Sequence, residues 1–267
     1  MSKTKTILIF GVSSGIGKYL FEKLSQNKKF KLIGFTSKKK HIKKNIFFYE
    51  YHKTKELKKT LLALSKTENK IYLIICNGTT GEIGKFEKIN FKKFINTFNI
   101  NFFSVAEIVY NYFNIFKNKK KFVLVFSGGG TFDNFPRFDA YASSKTSLVR
   151  FIENLAAEYK KNELQINAIA PGFNFGKIHK NLLKDYSKEV IGKSYYNFIK
   201  RNMNKKNSFD QILKFVQKII LNNFFNLNGK TISINFDDWD KKEFDKNLKI
   251  INKSDYMCLR RINKKPY

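Results

Sequence analysis

Gly11-Val12-Ser13-Ser14-Gly15-Ile16-Gly17 lies between a short apolar run at residues 6–10 and a stretch, 18–25, whose Leu20, Phe21 and Leu24 recur at helical spacing. A strand, a glycine-rich turn and a helix in so few residues leave little freedom in how the chain begins to fold. Glycine lets the backbone turn tightly and approach a pyrophosphate closely, and the amino end of the next helix offers free N–H groups and a partial positive charge. A dinucleotide is the natural ligand of such a turn, with Gly11, Ser13, Ser14, Gly15, Ile16 and Gly17 as its contacts; a merely structural turn is the competing reading.

The same alternation continues along the chain. Strand-like runs fall at 30–36, 46–51, 71–76, 121–126, 165–170 and 230–235, and helical patterns at 54–65, 94–116, 139–160 and 209–222. This predicts an α/β fold: a doubly wound parallel sheet in a three-layer α/β/α arrangement, with right-handed crossovers and ligands at the carboxyl ends of the strands. No composition break, repeat or proline-rich linker marks a second domain. We expect one domain over 1–235, with its least regular part, 173–206, as a substrate lid, and a short C-terminal extension, 236–267, that carries Trp239 and packs on the same domain.

A hydrophobic fraction of 42% with only 3 prolines excludes a disordered or collagen-like chain. The net charge of +31 raises nucleic acid or an anionic surface as a partner. Nearly all of that charge is lysine scattered along the whole length. Arginine, whose planar fork suits phosphate and base recognition, occurs only at positions 137, 150, 201, 260 and 261. The excess is therefore read as compositional drift, and a nucleic-acid partner is not expected. The lysines at 38–40, 43 and 44 read as a solvated edge. Two cysteines, no leader-like opening and no apolar stretch of membrane-spanning length point to a cytoplasmic protein. His41, His52 and His179 form no ligand cluster with the cysteines, so no metal is expected.

Tyr141-Ala142-Ser143-Ser144-Lys145 places a phenol and an amine four residues apart, on one face of a helix. A phenol is a poor acid or base at neutral pH, and an adjacent ammonium favours its ionised form. Together with the Gly-x-x-x-Gly-x-Gly turn and the apolar strand ending in Ser127-Gly128-Gly129-Gly130, this pair resembles the short-chain dehydrogenase/reductase family over residues 7–235. The resemblance implies a Rossmann fold, NAD(P) as cofactor and interconversion of a carbonyl and an alcohol on a small-molecule substrate. It further implies Tyr141 as proton donor and acceptor, Lys145 as the residue that depresses its pKa and binds the nicotinamide ribose, and Ser127 as the holder of the substrate oxygen. Asn101 would order a relay water, with Asn99 as the alternative. Asn77 and Gly78 would lie beside the adenine ribose, and Pro171 and Gly172 would flank the nicotinamide. The chain departs from the family pattern at Gly176, where threonine is common, and at Tyr51-His52, where an aspartate often meets the adenine. A homodimer or homotetramer is implied through the helices at 90–116 and 139–160.

A carboxylate at the end of the second strand commonly selects NAD by holding the ribose 2′-hydroxyl. Here that place reads Thr36-Ser37-Lys38, with no acid and with groups that suit a 2′-phosphate, so NADP is favoured over NAD. Two other functions on the same fold compete with the oxidoreductase: a non-catalytic dinucleotide sensor or scaffold that uses the tail from Trp239 for contact, and a nucleotide-sugar epimerase or dehydratase. A basic nucleic-acid-binding module stands behind both.

Overall fold

The computed structural model describes residues 4–160, 162–205, 208–223 and 227–260. Seven parallel strands form one sheet: β1 (Lys5–Phe10), β2 (Phe30–Thr36), β3 (Ile46–Phe48), β4 (Ile71–Ile75), β5 (Lys121–Phe126), β6 (Leu164–Ala170) and β7 (Thr231–Ser233), in the order β3-β2-β1-β4-β5-β6-β7. The strands are apolar on both faces because helices cover both. Alternate residues divide between them: Ile7 and Ile9 join the core under α1 (Gly15–Leu24) and α9 (Phe209–Leu221), whereas Leu8 and Phe10 join the core under α2 (Lys55–Thr67), α4 (Ser104–Ile115) and α5 (Asp139–Glu158). The doubly wound three-layer α/β architecture is thus the one the alternation predicts.

Three local readings differ. The helix expected at 94–116 is two helices, α3 (Phe91–Phe98) and α4, joined by a π-helical turn at Asn99–Phe103. That wider turn brings Asn101 fully inside, where its side chain is bonded to the chain at Thr79. The segment 173–205 is mostly helical, with α6 (Lys177–Asp185), α7 (Lys188–Ile191) and α8 (Lys193–Asn202) burying Leu182, Ile191 and Ile199 against Phe138 and Ile83. Their shortness and high lysine content hide the period in the sequence. The last strand stops at Ser233 because the Asp237 carboxylate accepts from the Ser233 N–H at 2.6 Å and the chain turns back.

After that turn the Trp239 indole donates to the Ile234 carbonyl at 3.0 Å and meets Phe215 edge-on. Trp239 is a core residue, so its ring is not presented to a partner. A final helix, α10 (Lys242–Lys253), follows, and Arg260 reaches the buried Glu153 of α5 at 3.0 Å. The expected lid boundary at Lys206 and the tail beyond Arg260 lie outside the described residues. Among the described residues no helix is long and apolar enough to cross a membrane.

Candidate active site

The strand order reverses between β1 and β4, and a crevice opens there at the carboxyl ends. Phe10 pairs with Ile75, so the turns that follow them, at Gly11 and at Cys76, lie side by side. Gly11 has φ +83°, and a Cβ on it would come within 3.2 Å of Asn77 Oδ1 and of the Cys76 backbone. A Cβ on Gly17 would overlap the Gly11 carbonyl oxygen. Gly15 has φ +57° and nothing within 4 Å of where a Cβ would stand. Ser14, in extended conformation at the head of α1, makes no capping bond from its side chain. The N–H groups of that first turn are therefore left for a ligand, and the cradle fits the diphosphate of a dinucleotide.

One cleft of about 1090 Å³ is lined by Gly11, Ser13, Ser14, Gly15, Ile16, Ser37, Lys38, Asn77, Gly78, Ser127, Tyr141, Lys145, Pro171 and Gly172. Gly17 and Asn101 are buried just behind it. At one end of the cleft Ser37 and Lys38 are exposed past the end of β2, and the Lys38 N–H donates to Thr36 Oγ1 at 3.1 Å. The carboxylate lining this end, Glu50, is paired with Lys53 at 2.6 Å. At the other end Gly172 has φ +71° and leaves room for the Asn235 amide, which a Cβ would strike.

The chemistry-bearing groups come from α5, β5 and the turn after β4. Lys145 is 3% exposed, and its Nζ donates to the Phe126 carbonyl at 2.8 Å. Burial pulls its pKa from 10.5 down to about 8, with Cys76 opposing. Tyr141 lines the cleft, and burial pushes its pKa up to about 12. The phenol is therefore neutral at physiological pH. A Cβ on Gly78 would lie 3.4 Å from Lys145 Nζ and 3.8 Å from Asn101 Oδ1, so a side chain there would crowd the amine.

Between the two candidate asparagines, Asn101 is the one brought to Lys145. Its Oδ1 accepts from the Thr79 N–H at 2.8 Å, and its Nδ2 donates to the Thr79 carbonyl and to Ser144 Oγ, both at 3.0 Å. Asn99 lines the cleft instead. Ser127 is 3% exposed and donates to the Ile169 carbonyl of β6 at 3.1 Å. The residue whose side-chain direction runs to the phenol is the next one, Gly128, where a Cβ would overlap Tyr141 Oη.

Sequence reasoning passed over the wall opposite this group. Phe135 and Phe138 stack at 4.4 Å, and Tyr195 of α8 meets both rings edge-on. Tyr195 also shares a hydrogen bond of 3.4 Å with Nε2 of His179, whose burial pulls it from 6.5 down to about 4. Aromatic residues in a lysine-rich stretch carry no local signal for this arrangement, because only the packing of α6 and α8 brings it together.

The profile of the family described as short chain dehydrogenase matches residues 5–187. An uncharacterised oxidoreductase of Saccharomyces cerevisiae is 30% identical over 179 residues, 63% of this chain and 70% of that protein. A 3-oxoacyl-[acyl-carrier-protein] reductase of Buchnera aphidicola is 26% identical over 189 residues, 67% of this chain and 77% of that protein. The crystal structure of a short-chain dehydrogenase/reductase from Saccharomyces cerevisiae superposes with a TM-score of 0.75 at 25% identity, covering 88% of this chain and 98% of that one. A family profile that spans β1 through α6, together with the superposition over most of the chain, places the protein in the short-chain dehydrogenase/reductase family of NAD(P)-dependent oxidoreductases, to which it belongs.

Proposed function

We propose that the protein is a cytoplasmic, NADP-dependent oxidoreductase that interconverts a carbonyl and an alcohol, with Tyr141 as its proton donor and acceptor. The observation that carries this reading is the phenol of Tyr141, neutral at physiological pH and free of hydrogen-bond partners among the described residues, on the same cleft as the glycine cradle. The nicotinamide cofactor, when bound, supplies a hydride to the carbonyl carbon, so that carbonyl, reduced cofactor and one proton become alcohol and oxidised cofactor. Tyr141 gives that proton to the carbonyl oxygen as the C=O electron pair moves onto it. Lys145, whose Nζ keeps N–H groups beyond the one given to Phe126, binds the nicotinamide ribose and stabilises the phenolate left behind. Asn101 fixes the turn at Thr79 beside Lys145, and the lone pair left on its Oδ1 is the place for a relay water. Pro171 and Gly172 shape the backbone beside the nicotinamide, and Asn77 and Gly78 that beside the ribose.

An absorbance assay over aldehydes, ketones, sugars and acyl thioesters, run with NADPH and with NADH, tests the reading. Oxidation of neither cofactor by any carbonyl would reject it. At the adenosine end Ser37 and Lys38 suit a 2′-phosphate, and the lack of a free carboxylate there supports NADP over NAD. A charged hydrogen bond is worth roughly 1.5–3 kcal/mol, so Lys38→Glu is expected to lower kcat/KM for NADPH by about tenfold to hundredfold while leaving that for NADH within about threefold. Equal losses for both cofactors would show that Lys38 does not read the 2′ position. The outer faces of α3 and α4 leave Phe91, Ile95 and Tyr110 exposed, which suits assembly as a homodimer or homotetramer.

A further inference from the structure

We propose that the mouth of the cleft is a docking surface for an anionic lipid bilayer, with Phe236 and Phe198 entering the headgroup layer and the lysines of α6 and α8 meeting its negative charge. The proposal concerns how the protein is placed and does not rest on the chemistry inside the cleft. Four large apolar side chains that line the cleft also face water at its rim: Phe132, Ile178, Phe198 and Phe236. They come from four separate segments, the loop after β5, α6, α8 and the turn after β7, so no single helix or loop accounts for them. Phe236 is 87% exposed, and that exposure is built in. It stands at the tip of a turn closed by two bonds: the Asp237 N–H donates to the Ser233 carbonyl at 3.1 Å, and the Asp237 carboxylate accepts from the Ser233 N–H at 2.6 Å. Apolar groups held in water side by side mark a surface that meets a partner.

The protein around this rim is strongly positive. Residues 177–205 carry seven lysines and one arginine against two acids, a denser excess than that of the chain as a whole. Lys177, Lys180 and Lys205 line a hollow of about 640 Å³ that adjoins the cleft through Gly176 and Lys177, with the exposed Met203 on its wall and no carboxylate. The acids that follow Phe236 are answered locally, Asp237 by the turn and Asp238 by Lys241 at 3.0 Å.

Apolar rings within a basic surface suit a protein that lies on a membrane, the rings entering the boundary of headgroups and chains and the ammonium groups meeting anionic lipid. A protein partner needs a continuous, packed core at its interface. Here the middle of the patch is the opening of a cleft, and a fluid surface conforms to such a rim where a folded one leaves a void. Nucleic acid would leave the four apolar side chains in water, and residues 177–205 offer it a single arginine. In the docked orientation the cleft opens onto lipid and the amino ends of the strands face water.

The test uses the full chain with vesicles of phosphatidylcholine, alone or with about 30% phosphatidylserine, at physiological salt. A net charge of +31 is drawn to any anionic surface, so the readouts report orientation. Phe236→Trp is expected to give a blue-shifted emission that bromine-labelled lipid quenches in the anionic vesicles, and Leu62→Trp, exposed on α2, to give neither. Changing Lys180→Glu and Lys205→Glu together is expected to weaken vesicle binding by about twenty-fivefold or more, since each basic residue close to an anionic surface is worth roughly fivefold. Lys28→Glu with Lys66→Glu makes the same change of charge in the exposed segments leading into β2 and β4, and is expected to weaken binding by less than about threefold. Equal losses from the two pairs would overturn the proposal, as would quenching that is absent at position 236 or alike at 236 and 62. Retention on immobilised polyglutamate or on duplex DNA without vesicle binding would also overturn it and point to an acidic protein or to nucleic acid instead. If Phe236→Trp does not fold, judged by its melting temperature, the two charge pairs still decide. Cofactor oxidation enters none of these readouts, so failure of docking and failure of the oxidoreductase reading are told apart.

Discussion

Tyr141→Phe is expected to lower kcat by about a thousandfold or more while changing NADPH affinity by less than about threefold. General acid catalysis is worth roughly a hundredfold to ten-thousandfold, and in the proposed mechanism Tyr141 supplies it. Phenylalanine keeps the ring that packs against Phe135 and removes only the oxygen, so neither the helix α5 nor the cleft should collapse. The glycine cradle at the other end of the cleft does not involve Tyr141, which is why cofactor binding, read by titration of NADPH fluorescence, should survive. Burial raises the phenol's pKa to about 12, so in the proposed mechanism the group begins reduction protonated and must lose its proton before it can accept one in alcohol oxidation. The oxidative direction should therefore quicken as pH rises, and the reductive direction should not. A Tyr141→Phe variant within tenfold of wild type would place the proton donor elsewhere, with Tyr195 the nearest candidate.

How far the sequence exposed this site depends on the range of the forces that build it. The cradle at 11–17 was legible because its signal is local: glycines where φ must be positive, placed between an apolar run and a helix. The Tyr141 and Lys145 pair was legible because four residues on a helix always share a face. The direction of the Ser127 hydroxyl was a different problem. Successive side chains at a strand end point to opposite sides, and only the folded sheet shows that the Ser127 hydroxyl, on the cleft, also reaches the Ile169 carbonyl of β6. The π-helical turn at Asn99–Phe103 was hidden for a related reason. Its wider winding goes with bonds from Asn101 to Thr79 and Ser144, residues 22 and 43 positions away. The rival reading of the tail from Trp239 as a contact surface stayed open in the sequence because nothing within that segment shows that Phe215 and the Ile234 carbonyl are waiting for the indole.

Lys145→Met is expected to abolish most activity and, at pH 7, to make the protein no less stable. The amine is buried, with one hydrogen bond to the Phe126 carbonyl, and its folded pKa of about 8 lies below the 10.5 of an unhindered lysine. The unfolded chain therefore binds more protons than the folded one between those two values, so stability rises with pH across that window. Below about pH 8 both states hold the proton, and the full cost of burying the charge is present at neutral pH. Above about 10.5 neither holds it and the cost has gone. Methionine fills a similar volume without charge, so it relieves that cost and loses a hydrogen bond worth about 1–2 kcal/mol. The net expectation is a rise in Tm of a few degrees at pH 7 that shrinks toward pH 10, measured by scanning calorimetry at the two values. Over the same range kcat/KM should fall by about a hundredfold or more, since the phenolate left after proton transfer would have no neighbouring positive charge. Such a pairing, stability gained where function is lost, is the signature of a charge held in the interior for its chemistry. A methionine variant less stable at both pH values would instead make Lys145 a structural strut between α5 and β5.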